Sequence, residues 1–280
     1  MGQPAIDRSG GRLPSLFLSH GSPMLALEDS SARHFIAGLG AQLPRPRAIL
    51  VVSAHWETEV PAVNSVERNT TIHDFRGFPP ALYELQYPAP GAPALASRVT
   101  ELLKSAGMPC AVHPRRGLDH GAWVPLLLMY PQADIPVAQL SVQSHLEPDH
   151  HLKLGRALAP LRDEGVLIIG SGSMTHNLSE FRGHGPDDPP QDWVERFAGW
   201  FKEKLTSGDT EALVNYRKLA PDAVRNHPTD EHLLPLYVAL GAAGEDARAE
   251  QIHASSAYAI LRMDAYAFET AGEGETRKVA

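Results

Sequence analysis

Six stretches of the chain are apolar with little alternation: residues 15–19, 48–54, 61–66, 135–142, 166–171 and 255–263. Runs of this kind, rich in Val, Ile and Leu, read as strands covered on both faces. Between them lie segments whose apolar positions recur with helical spacing. The spacing predicts helices over 31–43, after a Ser N-cap, over 92–106, ending at Gly107, over 151–162, ending near Gly165, and over 193–205, ending near Gly208. Strand and helix alternate. That order predicts an α/β fold with a mostly parallel central sheet and helices on both faces. Residues 67–91 and 182–192 are rich in Pro and Gly. The first also carries many aromatic residues and is expected to be an ordered loop over a site. No repeat divides the chain. The expected organisation is a polar lead-in over 1–14, a single catalytic domain over 15–271 and a polar tail over 272–280.

Composition narrows the function. The 280 residues carry a formal net charge of −8, which leaves no basic footprint for nucleic acid or an anionic membrane surface. No run has the length of a membrane span. Cys110 is the sole cysteine, so no intrachain disulfide forms and a reducing, cytoplasmic setting is expected. A monomer or small homo-oligomer is compatible with all of this.

The chemistry is concentrated in histidine, of which there are fourteen. Those at 34, 113, 145, 150, 151, 184 and 253 sit in helix or loop contexts where surface or hydrogen-bonded core imidazoles are the rule. Others stand at strand ends or beside glycines. LFLSH ends on His20, and ILVVSAHW carries His55 in the same relation to its apolar run. In open α/β sheets the carboxyl ends of the strands hold the ligand, and neutral imidazole is a common ligand for Zn, Fe and Cu. His176 follows a third apolar run in GSGSMTHNL, a loop that lacks the GxGxxG pattern and the Walker lysine of a phosphate cradle. His120 lies in DHGAW, with Asp119 available to orient its ring. Glu231 and His232 are adjacent in NHPTDEHLLPL, where His232 is expected at an exposed position near a helix start. Three such groups on one metal leave coordination positions open. Open positions suit O2 and a bidentate substrate on a redox-active metal, or a water nucleophile on zinc. Spacing alone leaves both readings standing.

The stretches FLSHGSPM, LPRPRAILVVSAHW, TIHDFRGFPPALYELQYPAPGAPALA, GLDHGAWVPLLLMYPQADIPVAQLS, GSMTHNL and HPTDEHLLPLYVALGA cover most of 16–241. In these the chain resembles the class III extradiol ring-cleavage dioxygenases, in the 4,5-DOPA dioxygenase branch. The resemblance implies a metal site at the carboxyl edge of the strands, with His20, His55 and His232 as ligands and Glu231 as an additional or alternative one. It implies His176 as the acid–base histidine and His120 as a second catalytic histidine that places substrate. The cofactor it implies is one mononuclear divalent metal, Fe(II) for catalysis or Zn(II) as bound in a resting form. The partners are a DOPA-like catechol and O2, and the product is a ring-opened semialdehyde. Phe75, Tyr83 and Arg116 are the expected substrate contacts. A zinc-dependent hydrolase, or a non-catalytic metal-binding protein on the same scaffold, is the alternative.

Overall fold

The computed structural model describes residues 12–270. Among these, ten strands form: β1 (Ser15–Ser19), β2 (Ala48–Glu57), β3 (Ala62–Asn64), β4 (Ala111–His113), β5 (Val137–Val142), β6 (Val166–Gly172), β7 (Ala247–His253), β8 (Ser256–Ala257), β9 (Leu261–Arg262) and β10 (Ala265–Thr270). Eight of them build one sheet in the order β4-β3-β5-β2-β6-β1-β10-β7. The central four, β5-β2-β6-β1, are mutually parallel. The flanks differ. β3 runs antiparallel to β5, and β10 pairs antiparallel with both β1 and β7.

The unbroken apolar runs have the expected cause. Leu16, Leu18, Ile49, Val51, Leu167 and Ile169 face one layer, with the helices Ser31–Leu39 and His120–Met129. Leu50, Val52, Val166 and Ile168 face the other, with the helices Pro93–Ser105, Pro148–Leu158 and Leu234–Ala242. Phe17 joins Tyr266 and Phe268 beneath the helix Asp192–Ser207. Covered on both faces, the central strands need no polar side.

Several expectations are corrected. Residues 255–263 are not one buried strand. They split into β8 and β9, a separate two-stranded pair, because Tyr258 and Ala259 take left-handed backbone (φ 53° and 59°) and reverse the chain. The edge strand β7, its neighbour β10 and the three-residue edge strand β4 lie outside the six runs: β7 is half-exposed along most of its length and has no continuous apolar face to betray it. Two helices hide for the opposite reason. His120–Met129 and Leu234–Ala242 are nearly or wholly buried on every side, so their sequences show no 3.6-residue alternation. The helix predicted over 151–162 begins at Pro148 and breaks at Pro160. Of the expected lead-in, residues 1–11 lie outside the described residues, as does the tail. Residues 12–14 are tied down: Leu13 is buried, its carbonyl accepts from Arg162 Nε at 2.6 Å, and Arg12 Nη1 donates to Thr270 Oγ1 at 3.1 Å. No helix among the described residues is long and apolar enough to cross a membrane.

His151 is wholly enclosed beside the sheet. Its Nε2 accepts from the Gln143 backbone N–H at 3.1 Å, and burial pushes its pKa down to about 3. The folded state therefore prefers the neutral ring. Its contribution is complete above the unfolded value of 6.5 and is lost as pH falls toward 3, at about 1.4 kcal/mol per unit. A His151→Gln variant keeps an acceptor but does not titrate. The stability gap between wild type and variant, from urea melts, should shrink steadily from pH 6.5 to 4; a constant gap would show that His151 is not held neutral.

Candidate metal centre and cavity

The site forms where the carboxyl ends of β1, β2 and β6 meet. β1 ends at Ser19, and the His20 backbone N–H still donates to the Gly172 carbonyl at 2.9 Å, so His20 is held as rigidly as the strand. β2 does not end at His55 but runs on to Glu57. Its pairing with β5 lapses between Val52 and Glu57, and this irregular stretch carries Ser53 to Trp56. His232 arrives from the turn before the helix Leu234–Ala242. It is 4% exposed, so the expected exposed position is corrected: the helix packs against β6 and carries His232 inward.

The glycines of GSGS permit that packing. A Cβ at Gly172 would lie 2.0 Å from the His232 carbonyl oxygen, and one at Gly170 would lie 2.2 Å from that of Pro235. Only a bare backbone lets the 232–235 segment lie on the strand, and the Ser173 N–H then donates to the His232 carbonyl at 2.8 Å.

Three imidazoles converge. His55 Nε2 is 2.9 Å from His20 Nε2 and 3.3 Å from His232 Nε2. Their other nitrogens show which atoms are free. The Ser171 hydroxyl donates to the Gly121 carbonyl, so it accepts from His20 Nδ1–H at 2.9 Å. The Glu231 carboxylate accepts from His232 Nδ1–H at 3.0 Å. His20 and His232 thus keep the tautomer whose bare Nε2 points inward. Burial first, and the neighbouring rings second, hold both well below the usual histidine range. Burial and His120 push His55 down to about 3, against the pull of Asp74.

Two further histidines flank this group. His120 starts the helix His120–Met129, its ring centroid 3.9 Å from that of His55. Its facing carboxylate is not the expected Asp119. Asp119 caps the helix by accepting from the Ala122 N–H, and it also accepts from the Ser53 hydroxyl at 2.7 Å and from Arg116 Nη2 at 2.9 Å. Asp74 faces His120 instead. Its Oδ1 lies 3.0 Å from His120 Nδ1 and accepts from the His120 backbone N–H at 3.0 Å, and its Oδ2 lies 3.7 Å from His55 Nδ1. Burial alone would raise the Asp74 carboxyl, but His120 outweighs it and brings it down to about 2. Sequence reasoning missed Asp74, although the adjacent His-Asp in TIHDF was the available signal. His176 stacks flat on His232, with centroids 3.4 Å apart. Burial lowers it to about 4, opposed by Glu231.

The possible donors fall into two sets, His20 with His55 and His120, and His176 with Glu231 and His232, each within 4.8 Å. The contacts of His55 Nε2 with both His20 and His232 join them into one centre. The bare Nε2 atoms of His20 and His232 both face His55 Nε2, which has at most one proton to offer, so at least one buried lone pair is left without a donor. A cation among them removes that conflict, so the residues fit a metal.

Beside the histidines opens a cavity of about 460 Å³, lined by His55, His120, His176 and His232 and by apolar side chains that include Met24, Phe75, Phe78 and Leu261. Phe75 reaches it as expected. Tyr83 and Arg116 do not. Tyr83 packs behind Phe75 with centroids 5.3 Å apart, and Arg116 lies over the Trp56 ring at 4.6 Å while bonded to Asp119. Trp56 is buried behind the site and is no part of the wall.

The chain is 51% identical over 259 residues to a 4,5-DOPA dioxygenase extradiol of Beta vulgaris, covering 91% of this chain and 96% of that protein. It is 48% identical over 241 residues to one from Escherichia coli K12, covering 85% and 88%. A crystal structure of an uncharacterized protein from Escherichia coli K12 superposes with a TM-score of 0.77 at 39% identity, covering 91% of this chain and 99% of that one. The model of the catalytic LigB subunit of aromatic ring-opening dioxygenases matches residues 14–269, and with nearly the whole chain and its histidine centre inside that match, the chain belongs to this family.

Proposed function

We propose that the protein opens the ring of a DOPA-like catechol with O2, at one divalent metal held by His20, His55 and His232. The observation that carries this reading is the meeting of the Nε2 atoms of His20, His55 and His232 beside an apolar cavity. Glu231 acts through His232 as the acceptor that fixes its tautomer, and Ser171 does the same for His20. Ferrous iron, when bound, supplies both a Lewis acid for the catechol oxygens and the electron exchange with O2 that redox-inert zinc lacks. The reading therefore assigns iron to catalysis, with zinc as an inactive occupant.

The chain's own residues supply the rest. His176 is kept neutral by burial, so at neutral pH it can accept a proton from a catechol hydroxyl and return it later in the reaction. His120, with Asp74 beside its Nδ1, lines the same cavity. Phe75 and Phe78 offer faces for the aromatic ring and limit water.

Protein reconstituted anaerobically with Fe(II) should consume O2 when given catechols and yield a coloured semialdehyde. Absence of uptake across a catechol panel, DOPA included, would end the dioxygenase reading. His176→Ala should lower kcat by about 10²–10⁴-fold while metal analysis still finds one metal per chain; loss of the metal would make His176 a ligand. Ser171→Ala should weaken metal affinity about 10–100-fold, read by chelator competition, and an unchanged affinity would remove Ser171 from the support. A Cβ at Gly121 would lie 2.5 Å from Ser53 Oγ and 3.0 Å from His55 Cδ2. Gly121→Val should therefore abolish stoichiometric metal binding with the circular dichroism spectrum retained; full metal content would show that the site tolerates the displacement.

A further inference from the structure

The catalytic cavity does not end at its outer wall. At Ser22, Tyr258 and Leu261 it adjoins a second cavity of about 380 Å³, and these three side chains line both. The second cavity is polar. Its wall includes Glu28, Asp187 and Asp29, the last paired with His34. No Lys or Arg among the described residues lines either space. The junction belongs to the same wall as His176 and His232. A ring substituent that points outward from a catechol held there meets it.

Two polar groups stand at the junction, and they differ in kind. The Tyr258 hydroxyl donates to Glu28 Oε1 at 3.0 Å. Burial, that bond and the charges of Glu28 and Asp187 push Tyr258 up to about 12, so the field of the carboxylates reaches the cavity wall. Glu28 has no Lys or Arg partner among the described residues. With the Tyr258 proton spent on it, the pair is left with acceptors and a negative charge, which suits an ammonium. Ser22, two residues after His20, is the complement. Its Oγ accepts from the Met24 N–H at 3.2 Å, and its own proton has no acceptor among the described residues. A free hydroxyl donor suits a carboxylate. A carboxylate alone would meet the repulsion of Glu28 with one hydroxyl to offset it, and an ammonium alone would leave that hydroxyl unused. An α-amino acid head carries both groups.

We propose that this junction reads the α-amino acid head of the catechol: the ammonium faces Glu28 and the Tyr258 oxygen, and the carboxylate accepts from the Ser22 hydroxyl. The assignment rests on the dioxygenase reading above and adds to it the residues that recognise the side chain of DOPA. It is tested on the full chain with three catechols: DOPA, dopamine, which lacks the carboxylate, and 3,4-dihydroxyphenylpropionate, which lacks the ammonium. Kd is measured by calorimetric titration of the zinc-loaded protein, which does not turn over, in wild type, Glu28→Gln and Ser22→Ala. The Fe(II)-loaded forms are assayed for O2 uptake with the same compounds.

Wild type should bind DOPA more tightly than either partial analogue. Glu28→Gln, which keeps an acceptor for Tyr258, should weaken DOPA and dopamine about fivefold or more and leave 3,4-dihydroxyphenylpropionate no weaker. Ser22→Ala should weaken DOPA and 3,4-dihydroxyphenylpropionate by a similar margin and spare dopamine, while Ser22→Thr, which keeps the hydroxyl, should retain DOPA binding. In each variant the spared ligand reports an intact cavity. Values of kcat/KM should follow the same pattern. An unchanged DOPA Kd in Glu28→Gln or Ser22→Ala would overturn the proposal, as would an equal loss for all three ligands or a failure of DOPA to bind the zinc form. If no catechol supports O2 uptake, the dioxygenase reading fails, while the pattern of Kd values on the zinc form still decides this inference by itself.

Discussion

Three imidazole nitrogens, two of them bare and sharing the single Nε2 of His55, form a centre that the protein must hold against its own electrostatics. An isolated buried nitrogen seeks a donor, and a cluster of them would protonate or disperse if left free. Here neither route is open. Burial makes the charged form costly for His20, His55 and His232. The outward nitrogens of His20 and His232 are committed to Ser171 and Glu231, which fixes which nitrogen stays bare. The metal-binding capacity of the site follows from this enforced neutrality.

The sheet supplies the rigidity that such an arrangement needs. β1, β2 and β6 are central, parallel and covered on both faces, so the residues at their carboxyl ends inherit positions set by the core. The antiparallel flanks do not reach the site. Their role is to cover the edges of the parallel strands, and β10 also brings Thr270 to the carbonyl of Ala243 and to Arg12, closing the two ends of the described chain against each other.

The cavity wall is tied to the loop that follows β6. Buried Thr175 donates to the Ile260 carbonyl at 2.7 Å and accepts from the Arg262 N–H at 2.8 Å. The loop that carries His176 is thereby joined to the turn that carries Tyr258 and Leu261. The left-handed residues Tyr258 and Ala259 that broke the expected strand are the same ones that bring this turn over the site. Backbone strain of about 1–3 kcal/mol at such positions is typical where function needs the geometry.

Much of this was legible in the residues themselves. Apolar runs with no alternation announced buried parallel strands, and histidines at their ends announced the centre. His20, His55 and His232 do meet, and His120 and His176 flank them. What local pattern could not show has a common cause. The helices His120–Met129 and Leu234–Ala242 are enclosed on nearly every side, so nothing in their hydrophobicity repeats. Edge strand β7 is half-exposed, so it has too little apolar content to stand out. Asp119 and Arg116 looked like neighbours of His120 and the substrate because sequence distance was the available measure. In the folded chain they bond to each other behind the site, and Asp74, 46 residues from His120, takes the orienting position. The sequence by itself determined the donor types, the strands that carry them and the family. Only the tertiary structure decided which carboxylate faces which ring, which nitrogen of His20 and His232 stays bare and which side chains wall the cavity, because those depend on contacts between segments that no local periodicity encodes.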